Sequence, residues 1–304
     1  GNQIDKKKLV EQVYNALAED FEEQLISSRL EIKINRQVYQ TAVSSEESDL
    51  NRKLEELNRQ LLQYRTTTVS YIFGDTVEVL DNEKICSWLI VSGDSISVKE
   101  EDVVAFVKEL SSKYNTMYVP RSFKTSFGEK VIISGNEYGY WIDKDAELQK
   151  LLEDIKSGSD VKREPVYSKQ GLRRNGSDDL QGSYIEVSLD KQYLWLYKNG
   201  KLVTETDIIS GLPSEGLQTY RGSWPIAYKA RPFTLSSDIY GYEVEVEYWM
   251  PFVYGQGLHD ADWQDAFGGE LYKTKGSHGC INLPKEQAKI IYDTIEAGYP
   301  IIIY

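Results

Sequence analysis

Cysteine and histidine are almost missing from this chain, with two of each among 304 residues. Two cysteines allow a single disulfide at most, and Cys86 sits in KICSWLIV, an apolar strand-like run, where it reads as a small buried hydrophobe. Basic residues are short as well: 35 Lys and Arg against 48 Asp and Glu leave a formal charge of −13. That balance argues against a nucleic-acid partner, because phosphate binding needs a basic surface. No run approaches the 18 apolar residues that would mark a membrane span, and no charged segment followed by an apolar one marks a signal peptide. The chain opens on GNQIDKKKLVEQV, already helical in pattern, so any targeting or membrane-anchoring segment is expected outside these residues. What remains is ordinary globular composition, 40% hydrophobic and 27% charged, with length enough for two domains.

The first part reads as α+β. Leu9, Val13, Leu17, Phe21 and Leu25 recur every four residues and predict one amphipathic helix; Leu50, Leu54, Leu57, Leu61 and Tyr64 predict a second. Ser97 with Glu100 three residues on has the form of a capping box for a third helix through Val103, Val107 and Leu110. A fourth is expected from Asp143 to Gly158. β-rich runs lie between them. The helix–strands–helix order occurs twice, which suggests a weak internal duplication over about 1–65 and 66–165. Residues 1–165 are therefore assigned to a mixed α/β binding or spacer region.

Residues 166–182 are polar and rich in Gly and Ser, which is linker chemistry. From 183 to 304 the pattern turns to strands. Ile185, Val187 and Leu189 alternate with polar residues, and Asn199-Gly200 between two such runs predicts a hairpin. One main helix is expected in PKEQAKIIYDTIEAG, with Pro284 in its first turn, Ala288, Ile291 and Ile295 on one face, and Gly298 closing it. The C-terminal domain is thus mostly β, in sandwich-like sheets with that helix packed on them.

Into this domain the scarce residues crowd. Ser277-His278-Gly279-Cys280 puts a histidine one glycine from a cysteine, and His259 lies 21 residues upstream of Cys280 (280 − 259). If the tetrapeptide is extended, His278 and Cys280 share a face. The helix after Pro284 is expected to bring its positive dipole toward the sulfur and favour the thiolate. Amides around Gly279 and Cys280 are candidates for an oxyanion hole, and either histidine for the base. Three other readings compete: a core cysteine with structural histidines; a zinc site using His259, His278, Cys280 and Asp260 or Asp262; and a papain-like protease. HxC lacks the spacing of structural zinc motifs, and no CGSCW-type sequence surrounds the cysteine. The segment DADWQDAFGGE carries four acidic and no basic residues, a composition suited to drawing in a protonated amine.

His259, seventeen residues, then Ser277-His278-Gly279-Cys280-Ile281-Asn282 resembles the signature of the YkuD-type L,D-transpeptidases. YIEVSLDKQYLWLYKNGKLV resembles that family's opening hairpin, and YWMPFVYGQGLHDADW its approach to the first histidine. QTYRGSWPI at 218–226 departs from the family's Thr-Pro-x-Gly-x-Phe/Tyr: Gly222 and Trp224 are kept and the proline is absent. The segment SKYNTMYVPRSFKTSFGEKVIISGNEYGYWID more loosely resembles the peptidoglycan-binding domain that often precedes this catalytic domain.

The resemblance implies a cysteine acyltransferase of peptidoglycan and cell-wall biogenesis, acting at the extracellular face of a bacterium and shaping the cell. Cys280 is the nucleophile and His259 the proton acceptor and donor, with the backbone carbonyl of Asp260 orienting it. His278 and Gly279 line the oxyanion hole; Ser277, Asn282, Tyr254 and Gly257 contact substrate. A donor tetrapeptide stem loses its terminal D-Ala, and an amine of a neighbouring stem captures the acyl group in a 3→3 cross-link. No cofactor or metal is implied, carbapenems are expected to acylate the cysteine, and the chain is expected to be monomeric. An L,D-carboxypeptidase and a non-catalytic cell-wall-binding protein are the alternatives.

Overall fold

The computed structural model describes residues 2–4, 6–19, 39–41 and 46–304. They form two compact units, one of residues up to 72, 76–111 and 143–166, the other of 73–75, 112–142 and 167–304. The 112–142 segment, expected with the first domain, therefore groups with the C-terminal strands. No helix among the described residues is long and apolar enough to cross a membrane.

In the first unit, helix Lys6–Glu19 buries Leu9 and Val13; the continuation expected through Phe21 and Leu25, and with it part of the 1–65 half of the proposed duplication, lies outside the described residues. Helix Glu46–Arg65 buries Leu57, Leu61 and Tyr64. Helix Lys144–Ser157 is capped at both ends, by the Asp143 carboxylate accepting from the Ala146 amide and by Gly158 in the left-handed region (φ 71). Its buried face carries Glu147 and Asp154, both held by Arg163, and Glu147 also accepts from the Tyr71 hydroxyl. Two local expectations fail. Ser97 caps nothing: it lies in strand Ser95–Val98, paired with Ile90 of strand Leu89–Ser92, and the helix starts at Glu100. Cys86 is buried as expected, but it ends a short helix, Asn82–Cys86, N-capped by Asp81, and strand structure begins only at Leu89.

The second unit is built on two sheets. Strands β1 (Tyr184–Ser188), β2 (Tyr193–Lys198), β3 (Lys201–Asp207), β4 (Gly222–Pro225), β5 (Phe233–Ser237), β6 (Tyr242–Val246), β7 (Trp249–Val253), β8 (Gln256–Asp260), β9 (Ile281–Leu283) and β10 (Pro300–Ile303) follow one another along the chain. The larger sheet has the order β3-β2-β1-β10-β4, the smaller β7-β8-β9, and β5 pairs β6 as a hairpin. β2 and β3 turn through Asn199 and Gly200, both left-handed. Ile185, Val187, Leu194, Leu196, Ile301 and Ile303 meet Met250, Leu258, Ile281 and Leu283 in one core with Ala288 and Ile291 of helix Lys285–Thr294. That helix closes at Ile295; Gly298 instead turns the chain into β10, its amide donating to Ile226.

The run Pro300–Ile303 is apolar throughout because both faces are covered. Ile302 packs with Phe123 and Ile133 of the hairpin formed by Arg121–Lys124 and Lys130–Ile133. On the same face Glu186, fully buried, accepts from the Ser126 amide and hydroxyl and the Tyr304 hydroxyl. The stretch 166–182, read as a linker, is packed in this unit from Tyr167 on. Tyr167–Lys169 pairs with Trp141–Ile142, and buried Arg174 lies over the rings of Phe73 and Tyr140. Asp179, also buried, is gripped at both oxygens by Arg121 (2.6 and 2.8 Å). Arg174 and Asp179, the buried charges of this stretch, are thus partnered inside the protein.

Candidate active site

β8 and β9 run parallel, with His259 opposite Asn282. The chain between them returns through a short helix, Tyr272–Lys275, and a bend at 277–280, which delivers Cys280 to the start of β9. His259, Ser277, His278, Cys280 and Asn282 consequently line one cavity of about 350 Å³, walled by Tyr242 and Trp263.

His259 is buried, its ring flanked by Trp249 and Trp263 at 5.9 and 5.8 Å between centroids. Nδ1 lies 2.8 Å from the backbone oxygen of Asp260. A carbonyl only accepts, so Nδ1 carries the proton and Nε2 is left as the basic nitrogen. Burial lowers the imidazole pKa; the Asp260 carbonyl offsets part of that. The Asp260 carboxylate is occupied elsewhere, accepting from the amides of Glu247 and Tyr248.

Cys280 is half-buried, with Sγ 3.9 Å from the Gly255 carbonyl. Burial pushes its thiol up to about 11, with the Gly257 amide pulling the other way. The expected helix dipole does not reach the sulfur: β9 and Pro284 intervene before the helix, and at about 3.3 Å per strand residue the first turn lies beyond the range of the effect. Nor is the tetrapeptide extended. Gly279 has φ 119, and a Cβ there would sit 2.2 Å from Gln256 Nε2, so only glycine fits the bend. The Gly279 amide donates to Ser277 Oγ (3.0 Å), which donates onward to the Cys280 carbonyl (2.6 Å). The Gly279 amide, expected to serve an oxyanion hole, is thus bonded to Ser277 within the bend.

A family model of the L,D-transpeptidase catalytic domain (YkuD) matches residues 182–303, and a model of an inferred peptidoglycan binding domain matches residues 90–162. The crystal structure of a cysteine-to-serine mutant of an Enterococcus faecium L,D-transpeptidase is 33% identical, aligns over 80% of this chain and 97% of its own, and superposes at a TM-score of 0.68. The chain belongs to the YkuD-type L,D-transpeptidase family. The avibactam carbamoyl enzyme of Ldtfm is likewise 33% identical, over 84% of this chain and 98% of that one, with a TM-score of 0.69. No curated protein matches.

Within this L,D-transpeptidase domain Tyr254 and Gly257 lie outside that cavity lining, while His278 and Asn282 sit in it differently. His278 is exposed, its ring against Tyr240 and Tyr242 of the β5–β6 hairpin at 4.4 and 5.1 Å. Tyr254 is 78% exposed at a left-handed turn (φ 44) and contacts Tyr220. Gly257 lets β8 lie against the Trp249 ring, which a Cβ would meet at 2.6 Å. Asn282 is buried, with Oδ1 lacking a protein partner. The acidic segment after His259 is largely spent on the protein itself: Asp262 pairs with Lys285, Glu270 with Lys273, and Asp260 binds two amides. Among the described residues no group of three or more His, Cys, Asp or Glu is placed to hold a metal. Sequence patterns missed Trp263, Tyr240 and Tyr242, aromatic residues whose proximity to the histidines depends on how the β5–β6 hairpin and the 261–276 segment fold back.

Proposed function

We propose that this L,D-transpeptidase joins peptidoglycan stem peptides in 3→3 cross-links through a Cys280 thioester. The observation that carries the reading is the pairing, in one cavity, of Cys280 with a buried His259 whose Nδ1 is fixed on the Asp260 carbonyl. Nε2 takes the thiol proton as Sγ bonds to the carbonyl carbon of the third stem residue, and the carbonyl electron pair moves to oxygen. When the carbonyl re-forms, the C–N bond to D-Ala breaks and His259 returns the proton to the departing amine. The amine of a second stem then attacks the thioester, giving its proton to His259 and releasing the thiol. Ser277 supports this course by locking the bend. Its place of action in this reading is the cell wall, where such stems lie.

Mass spectrometry of the protein with a disaccharide-tetrapeptide tests it. The expected products are an adduct on Cys280 short of D-Ala and a cross-linked dimer, both absent in Cys280→Ala. Adduct or dimer in that variant refutes the mechanism. Tripeptide without dimer selects the L,D-carboxypeptidase, and binding without any adduct the non-catalytic protein.

A further inference from the structure

The bend that carries the nucleophile is held by two hydroxyls. Ser277 Oγ engages the Gly279 amide and the Cys280 carbonyl, as above. The peptide group between them, Gly279 C=O with Cys280 N–H, is held only at its oxygen: Thr219 Oγ1 donates to the Gly279 carbonyl at 2.8 Å. Thr219 is buried, and its hydroxyl in turn accepts from the Gly211 amide at 3.0 Å. Gln256 fixes the residues on either side of it, accepting from the Tyr220 amide (2.9 Å) and donating to the Gln218 carbonyl (3.1 Å).

The carbonyl and N–H of a trans peptide group point in opposite directions. Drawing the Gly279 oxygen to the buried Thr219 therefore turns the Cys280 N–H away from Thr219. A peptide group next to glycine rotates at little cost, so this orientation depends on its anchor. Since the Gly279 amide is committed to Ser277, the Cys280 amide is the donor this bend can offer to a developing oxyanion.

We propose that Thr219 is a positioning residue for acylation, setting the Gly279–Cys280 peptide so that the Cys280 amide meets the oxyanion formed when Sγ adds to the substrate carbonyl. This rests on the Cys280 thioester proposed above. The step it assists is the attack itself: the S–C bond forms, the π pair moves to oxygen, and the proton goes to His259. Thr219 moves no proton and touches no substrate.

The test compares two reactions of the same sulfur. Acylation by a carbapenem passes through an oxyanion; alkylation by iodoacetamide at pH 9 displaces iodide and forms none. Thr219→Val keeps the side chain's shape and removes the donor. It is expected to slow acylation about 10- to 100-fold, a fraction of the loss seen on deleting an oxyanion donor, with alkylation unchanged and Thr219→Ser restoring acylation. Wild-type acylation in Thr219→Val overturns the proposal, as does a parallel loss of both reactions, which would mean a collapsed bend. If the valine variant does not fold, Thr219→Ala is read by the same pair of rates. Cys280→Ala in parallel separates the two levels: adduct in that variant overturns the thioester itself, whereas its absence alongside a normal Thr219→Val overturns the role of Thr219 alone.

Discussion

The resting protonation state of the site can be read from its burial and then tested. Burial raises the Cys280 thiol to about 11 and lowers the His259 imidazole below its ordinary 6.5. Both shifts favour the neutral pair, thiol plus imidazole, over the thiolate–imidazolium pair of many cysteine enzymes. With a pKa near 11, only about 10⁻⁴ of the sulfur is ionised at pH 7, equivalent to about 5.5 kcal/mol at 1.36 kcal/mol per unit. In the proposed mechanism the proton then leaves during attack, through His259, rather than before it.

Two pH profiles follow. Alkylation of Cys280 by iodoacetamide, followed by mass spectrometry of the peptide that contains it, should climb with pH from 7 to beyond 9 without levelling, as the thiolate population grows. Carbapenem acylation should hold level across neutrality, since it draws on neutral His259, and should fall only in acid. The sign is fixed by the direction of the histidine shift: a lowered pKa keeps the imidazole neutral, and active, to lower pH than a free histidine would allow. A plateau of alkylation between pH 5 and 8 would reveal a preformed ion pair and refute the argument.

Other variants probe the parts separately. His259→Gln should slow acylation about 10²- to 10⁴-fold, the worth of a general base, whereas His278→Gln should cost about tenfold or less, the scale of its stacking on Tyr240 and Tyr242; acylation rates by stopped flow check both. Gly279→Ala should abolish acylation and lower stability by about 1–3 kcal/mol through backbone strain alone, read by urea unfolding. Arg121→Ala should destabilise the second unit by about 3–5 kcal/mol, because it strands the fully buried Asp179 carboxylate; chemical denaturation measures it.

What was legible in the sequence was local or rare. Asp143 and Gly158 cap their helix because a cap needs only its own three or four neighbours. Asn199-Gly200 sets its hairpin for the same reason. His259 and Cys280 stood out because the chain holds two of each, and parallel pairing of β8 with β9 brings their two segments side by side. Ser97 shows the limit of local reading: its spacing to Glu100 suits a cap, but pairing with Ile90 claims its backbone first. The stretch from Tyr167 to Gly182 failed for another reason. Its Arg and Asp look solvated until Phe73 and Tyr140, 101 and 34 residues before Arg174, and Arg121, 58 before Asp179, close over them. Thr219 was equally hidden, since nothing in QTYRGSW indicates that its hydroxyl ends on the Gly279 carbonyl, sixty residues on.

The same burial bears on both the quiet resting state and the machinery gathered around it. Burial of His259 and partial burial of Cys280 favour the protonated sulfur, so the thiol at rest is a poor nucleophile toward adventitious electrophiles. In the proposed mechanism the cost of charge separation then falls on the transition state, where an oxyanion and an imidazolium appear together. A buried site makes each compensating dipole count for more than it would in water. In the proposed mechanism a fixed Nδ1–Asp260 hydrogen bond and a fixed Gly279–Cys280 peptide matter for that reason: the first would steady the imidazolium as it forms, the second the oxyanion, and neither would have to reorganise at the moment of reaction.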